Sequence, residues 1–242
     1  MNVILGAGEV AIALSANLRQ DLEMYDKGEW EDLSPRKTNF LHICIPYSDN
    51  FIDIVNKAIT IMLPKYTVIH SSVKIGTTTQ IKDACYSPIL GRHSDNFVEN
   101  MGLYIKPFCG SDEALNDFTL DYSLPVEKWG DSIDSLEFAK VMSTGYMYWN
   151  LIYQKVVYNI CKERNYDFNL VYTDWNKLYN NGIKEKHPEW QRPVYQYDNS
   201  GHIPGGHCLN NNIYLDDNFI NDILKEWQEK GNIQILKIIK KP

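Results

Sequence analysis

The sequence lacks any apolar run approaching the roughly 20 residues that a bilayer-crossing helix needs. No basic stretch leads into an apolar one at its start, so the N-terminus reads as a strand and not as a secretory signal. A cytoplasmic protein is the expectation. A basic excess is missing too: 31 acidic against 24 basic side chains leave a net charge of −7. That argues against a general nucleic-acid binder, whose phosphate contacts need a basic surface. Cysteine is sparse and unpatterned. Cys44, Cys85, Cys109, Cys161 and Cys208 are odd in number and widely spaced, which argues against a disulfide framework. Cys44 sits inside an apolar run, as a buried thiol does. Neither repeats nor low-complexity segments occur.

What is present is ordinary for a folded soluble protein: 242 residues, 44% hydrophobic and 23% charged, enough for one large domain or two small ones. The first half alternates short apolar strands with helical stretches. Strands are read at residues 2–5, 22–25, 40–45, 67–70 and near 102–107, and helices at 10–18, 51–62 and 78–83. This alternation predicts an α/β fold, with an N-terminal Rossmann-type, doubly wound parallel sheet. The second half differs. Residues 132–164 hold no proline, and Phe138, Val141, Met142, Gly145, Trp149, Ile152, Val156 and Ile160 recur at helical spacing. One long helix starting near Ser135 is predicted, within a mainly α-helical domain. Shorter helices are read at 172–178, closed by Asn180-Asn181-Gly182, and at 217–229. Residues 186–206 read as a loop, and the apolar stretch Ile233 to Ile239 as a possible last helix. The boundary falls near 124–132, dividing 1–128 from 129–242.

The first strand ends in Gly6-Ala7-Gly8-Glu9-Val10-Ala11, a Gly-x-Gly-x-x-Ala turn opening a helix. A pyrophosphate site requires this order. Gly6 permits the tight turn, Gly8 lets the backbone approach the phosphates, and the small Ala11 lets the helix pack on the strand. The helix start then presents N–H groups and a positive dipole end to the anion. Asp26, 18 residues after Gly8 at the end of the next strand, stands where an acid binds a ribose 2′-hydroxyl. A carboxylate there favours NAD over NADP, and neighbouring Lys27 works against that preference.

Several segments together resemble the UDP-glucose/GDP-mannose dehydrogenase family, which is related to 6-phosphogluconate and 3-hydroxyisobutyrate dehydrogenases. They are Gly6-x-Gly8; Ile43-Cys44-Ile45-Pro46, like the family's strand ending in Val-Pro; Ser71-Ser72-Val73-Lys74-Ile75-Gly76-Thr77, like its Ser-Thr-Val-x-x-Gly-Thr; and Gly205-Gly206-His207-Cys208, like its Gly-Gly-x-Cys loop. Ser87-Pro88 followed by Arg92 resembles its Asn-Pro-Glu segment. Order and spacing fit over nearly the whole chain, as a short member without the C-terminal sugar-nucleotide domain. The resemblance implies an NAD-dependent oxidation of an alcohol on a small or sugar-type substrate. It places Gly6, Ala7, Gly8, Glu9, Val10, Asp26, Ile45, Pro46, Ser71 and Ser72 at the cofactor. It makes Cys208 the nucleophile that attacks an intermediate aldehyde, and Lys140 the lysine that polarises the reacting oxygen. Thr144 and Asn212 occupy the family's Asn and Asp positions, and Ile89 that of its Glu. A homodimer through the long helix is also implied.

Blander readings stand beside these. Cys208 also fits a plain cysteine in a tight glycine loop, and Lys140 an exposed helix lysine. Ser71, Ser72 and Thr77 line the nicotinamide ribose or cap the next helix. Tyr146-Met147-Tyr148-Trp149 reads as core or dimer interface, and Tyr195-Gln196-Tyr197-Asp198 as surface loop. His187, His202, His207 and Cys208 lack the paired short spacing of a metal site, so none is expected. Ile89 cannot titrate. Two alternatives to the oxidoreductase therefore remain: a dinucleotide-binding protein that has lost catalysis, and a two-electron dehydrogenase of a small hydroxy acid.

Overall fold

The computed structural model describes residues 1–91, 96–195 and 211–230. Contacts divide the chain into two compact units, Met1–Lys140 and Val141–Pro242. In the first, β1 (Asn2–Leu5), β2 (Leu22–Tyr25), β3 (Thr38–Ile43), β4 (Pro64–Ile69) and β5 (Ala84–Tyr86) form one five-stranded sheet in the order β2-β1-β3-β4-β5. Every pairing in it is parallel. Parallel strands buried on both faces need a core above and below, and the side-chain alternation supplies both. Val3, Leu5, Leu41 and Ile43 face one core with α2 (Phe51–Met62), through Phe51, Val55, Ala58 and Met62. Ile4, Phe40 and Val68 face the other, with Ala11, Ala13 and Leu14 of α1 (Glu9–Ser15) and Ala114 and Phe118 of α4 (Asp112–Asp121). This is the doubly wound architecture read from the alternating strands and helices.

Several short elements differ from that reading. The strand sought near 102–107 begins only at Lys106, as β6 (Lys106–Phe108), because α3 (Phe97–Met101) and its exposed connection come first. β6 pairs in parallel with β7 (Val126–Lys128) in a separate two-stranded sheet. The helix at 78–83 shrinks to one 3₁₀ turn, Thr78–Gln80. β5, α4 and β7 carry too few patterned residues to stand out in the sequence.

The long helix is α5 (Ile133–Arg164). In the second unit its Tyr148 and Ile152 pack with Ile213 and with Leu224 and Trp227 of α7 (Phe219–Lys230). A π-helical turn (Asn169–Asp174) leads into α6 (Trp175–Ile183), which runs through Asn180-Asn181-Gly182 instead of ending there. The reason is visible in the bonds of Asn180. Its amide donates to the Arg192 carbonyl and accepts from the Arg192 N–H, each at 2.8 Å, so it holds a neighbouring loop and leaves the helix ladder intact. No helix among the described residues is long and apolar enough to cross a membrane.

Candidate functional site

The chain leaves β1 toward β2 on one side and returns to β3 on the other. The crevice beyond the carboxyl ends of β1 and β3 is therefore the point where the strand order reverses, and open α/β sheets bind ligands there. The Gly6–Val10 turn follows β1 and Cys44-Ile45-Pro46 follows β3, so both segments border it. Gly6 donates to the Tyr25 carbonyl at 2.8 Å, and the Cys44 N–H donates to the Leu5 carbonyl at 2.8 Å. With φ at +110°, Gly6 holds a backbone conformation that a β-carbon opposes. Space forbids one as well: it would stand 2.8 Å from the Cys44 oxygen.

Gly8 differs in kind. Its backbone is extended, and nothing lies within 4 Å of where its β-carbon would point. The first α1 bond runs from the Ile12 N–H to the Gly8 carbonyl at 3.0 Å, so Val10 and Ala11 precede the helical ladder. Ala7, Gly8 and Glu9 are exposed, and Ala11 is fully buried beneath them. Asp26 follows Tyr25 at the end of β2 and is exposed. Its carboxylate accepts the Lys27 N–H at 2.8 Å, and its own N–H donates to Glu29 Oε2 at 2.8 Å. Ser71 does not cap a helix. Its hydroxyl donates to the Ile45 carbonyl at 2.6 Å and reaches the Ile43 carbonyl at 3.3 Å, tying the end of β3 to the end of β4. Ser72 is half-buried, and Thr77 precedes the 3₁₀ turn without a side-chain cap.

Beneath this edge lies a polar group that the sequence did not reveal. His42 on β3 and His70 after β4 approach at 3.1 Å, Nδ1 to Nε2, and His70 Nδ1 meets the Ser87 carbonyl at 2.6 Å. A carbonyl only accepts, so His70 carries its proton on Nδ1 and takes the His42 Nδ1–H on Nε2. Lys106 is 4% exposed, and its Nζ donates to the carbonyls of Ser87 (2.6 Å) and Pro88 (2.9 Å). Burial holds both imidazoles far below their usual range, His42 at about 3, and the nearby Lys106 charge adds to it. Burial likewise pushes the Lys106 amine well below its ordinary value, and the charge of Lys140 pushes it further. Burial raises the Cys44 thiol to about 12, so it is no thiolate nucleophile.

Lys140, half-buried at the end of the first unit, donates from Nζ to the Ile89 carbonyl at 2.7 Å. Lys106 and Lys140 thus hold three successive carbonyls of Ser87-Pro88-Ile89, with the Ile89 side chain buried in the core. Three residues before Lys140, Glu137 is fully buried and accepts the N–H groups of Gly76 and Thr78. In the second unit the structure joins Thr144 and Asn212, with Asn212 Nδ2 donating to Thr144 Oγ1 at 3.1 Å. Tyr148 is buried there, while Tyr146, Met147 and Trp149 are exposed. Cys208, His202, His207, Gly205, Gly206, Arg92, Gln196, Tyr197, Asp198 and the stretch 233–239 lie outside the described residues. No group of three metal-ligating side chains occurs among the described residues.

No protein-family model and no curated protein matches the sequence. Solved structures share the fold. A UDP-D-ManNAc dehydrogenase from Pyrococcus horikoshii superposes with a TM-score of 0.66 at 13% identity, over 95% of this chain and 68% of that one. A 3-hydroxyisobutyrate dehydrogenase from Mycobacterium tuberculosis gives 0.62 at 11% identity, over 95% of this chain and 92% of that one. A third, Psf3 in complex with NADP+ and 2-OPP, gives 0.59 at 11% identity, over 95% and 93%. UDP-sugar, GDP-mannose and hydroxyisobutyrate dehydrogenases thus share this chain's fold.

Proposed function

We propose that this chain is an NAD-dependent oxidoreductase acting on an alcohol group of a small or sugar-type molecule. The observation that carries the reading is the contrast between the two turn glycines. Gly6 is locked against the Cys44 carbonyl, while Gly8 opens onto free space at the strand switch point. A dinucleotide pyrophosphate needs such an approach to bare backbone. The exposed Asp26 carboxylate suits a ribose hydroxyl and opposes a 2′-phosphate, which favours NAD. The dehydrogenases that share the fold, and Psf3 with its bound NADP+, support a nicotinamide dinucleotide.

When bound, the nicotinamide supplies a hydride acceptor or donor. The chain's own groups do the rest. The Gly6–Val10 turn holds the diphosphate by backbone N–H groups. Lys140 Nζ is the group we assign to the substrate oxygen, which replaces the Ile89 carbonyl as its hydrogen-bond acceptor. Cys208 is the assigned nucleophile in a two-step oxidation. In a second copy of the chain we infer a homodimer partner, met along the face of α5 where Tyr146, Trp149 and Tyr153 stand exposed at helical spacing.

One observation favours a second reading, a dinucleotide-binding protein without turnover. Thr144 and Asn212 form a neutral pair, and Ile89 offers no acid, so two of the positions that could move a proton cannot. Calorimetric titration with NAD and NADP decides the first point. A panel of alcohols, hydroxy acids and sugar nucleotides, followed by the absorbance of the reduced nicotinamide, decides the second. Binding with turnover supports the oxidoreductase, and binding alone the second reading. If neither dinucleotide binds, both fall.

A further inference from the structure

The first two turns of α5 are fastened to two different strand ends. Lys140 is held on the Ile89 carbonyl, in the segment after β5. Glu137 is held in the loop after β4, where its carboxylate takes the N–H of Gly76 at 2.5 Å and of Thr78 at 2.9 Å. Gly76 is left-handed, with φ at +81°, and Thr77 right-handed, with φ at −71° and ψ at −49°. That succession turns neighbouring N–H groups toward one point, a concavity that takes an anion. Here the anion is the chain's own side chain. A second tie runs beside it, with Thr79 Oγ1 reaching Asp134 Oδ1 at 3.4 Å.

These contacts are not needed to make a helix. Glu137 has no exposed surface, and burying a carboxylate is costly unless its oxygens are bonded. Two backbone N–H groups offset part of that cost, and burial still raises the carboxyl above its ordinary value. The outcome is geometric: the helix turn that carries Lys140 is pinned to the loop bearing Ser71 and Ser72. We propose that Glu137 is the positioning residue for Lys140, fixing the lysine's turn of α5 on the carboxyl edge of the sheet through the Gly76–Thr78 turn. Its consequence for turnover rests on the oxidoreductase reading; its consequence for the lysine does not.

The test is Glu137→Gln in the full chain. The amide keeps the shape but presents an NH2 to one of the two N–H groups. Amine reactivity is read lysine by lysine, by trace acetylation and mass spectrometry. Loss of one charge-assisted bond should raise the acetylation rate of Lys140 about tenfold, with Lys106 as protected as before. Dinucleotide affinity should hold, while kcat falls about tenfold and the dinucleotide KM stays. An unchanged Lys140 rate overturns the proposal. So does parallel exposure of Lys106, which would mean general loosening. If the wild type binds no dinucleotide, the oxidoreductase reading falls and the acetylation result still decides the role of Glu137. Should the Gln variant fail to fold, Glu137→Asp, too short to reach both N–H groups, is read in the same way.

Discussion

The carbonyl oxygen of Cys44 stands 2.8 Å from the place a β-carbon on Gly6 would occupy, whereas a β-carbon on Gly8 would have nothing within 4 Å. Two glycines of one motif therefore do different work. Gly6→Ala should destabilise the fold by about 2 kcal/mol or more, since it adds a clash with backbone to a strained φ. Gly8→Ala should melt within about 0.5 kcal/mol of the wild type, because alanine accepts φ at −79°. It should still weaken dinucleotide binding about tenfold by filling the space the pyrophosphate needs. Thermal melts and calorimetry of the two variants separate these effects. Undiminished binding in Gly8→Ala would remove Gly8 from the site.

The His42–His70 pair makes the protein acid-sensitive. Both imidazoles are held neutral by burial, and His42 titrates only at about 3 in the folded chain. In the unfolded chain a histidine takes its proton near 6.5. Between these values the unfolded state binds more protons, so stability is lost as pH falls from about 6.5 toward 3, by up to about 1.4 kcal/mol per pH unit for each ring. Urea midpoints at pH 7, 5.5 and 4.5 should decline steadily. His42→Gln, which cannot take a proton, should decline less steeply. A midpoint that does not move between pH 7 and 4.5 contradicts the assignment.

Much of the first unit was legible because its signals are local. The β1 run, the glycine turn and the alanine-rich α1 follow one another within fifteen residues, each shaped by its neighbours. The buried Lys106 and Glu137 were not legible. In Tyr104-Ile105-Lys106-Pro107-Phe108 the polar residue should face water and Ile105 the core, yet Ile105 is exposed and Lys106 buried. What draws Lys106 inward is a pair of carbonyls some twenty residues earlier in the chain. Glu137 sits in a stretch that reads as a helix surface, and its partners at Gly76 and Thr78 lie about sixty residues away. The one usable hint was His42, a polar residue in an apolar strand of a parallel sheet, where both faces are buried.

Lys106 should show itself in alkali. Its amine is held well below its ordinary 10.5 by burial and by the charge of Lys140, whereas the unfolded chain keeps that proton to about 10.4. Within that window the unfolded state again binds more protons, so the stability of the wild type should rise with pH and level off above about 10.4. Lys106→Met removes the group that titrates. Its urea midpoint should lack this rise between pH 7 and 10 and should exceed the wild type's at the lower end. Parallel curves for the two proteins would mean that Lys106 does not titrate in that window.

Asp26 carries the preference between the two dinucleotides. One carboxylate oxygen accepts the Lys27 N–H, which sets the orientation of the group at the end of β2. Asp26→Asn keeps that acceptor and the shape while removing the charge. A charge-assisted bond to a ribose hydroxyl would be reduced to a neutral one, so NAD affinity should fall about tenfold. Repulsion of a 2′-phosphate would vanish at the same time, with Lys27 beside it as an attractive charge. The NAD-to-NADP affinity ratio should therefore shift toward NADP by more than the loss in NAD affinity alone. Titrations at two salt concentrations check the electrostatic part, because screening should shrink the NADP gain and spare the hydrogen-bond loss. If the ratio is the same in Asp26→Asn and wild type, the dinucleotide does not lie along β2, and the cofactor preference must be sought elsewhere on the crevice.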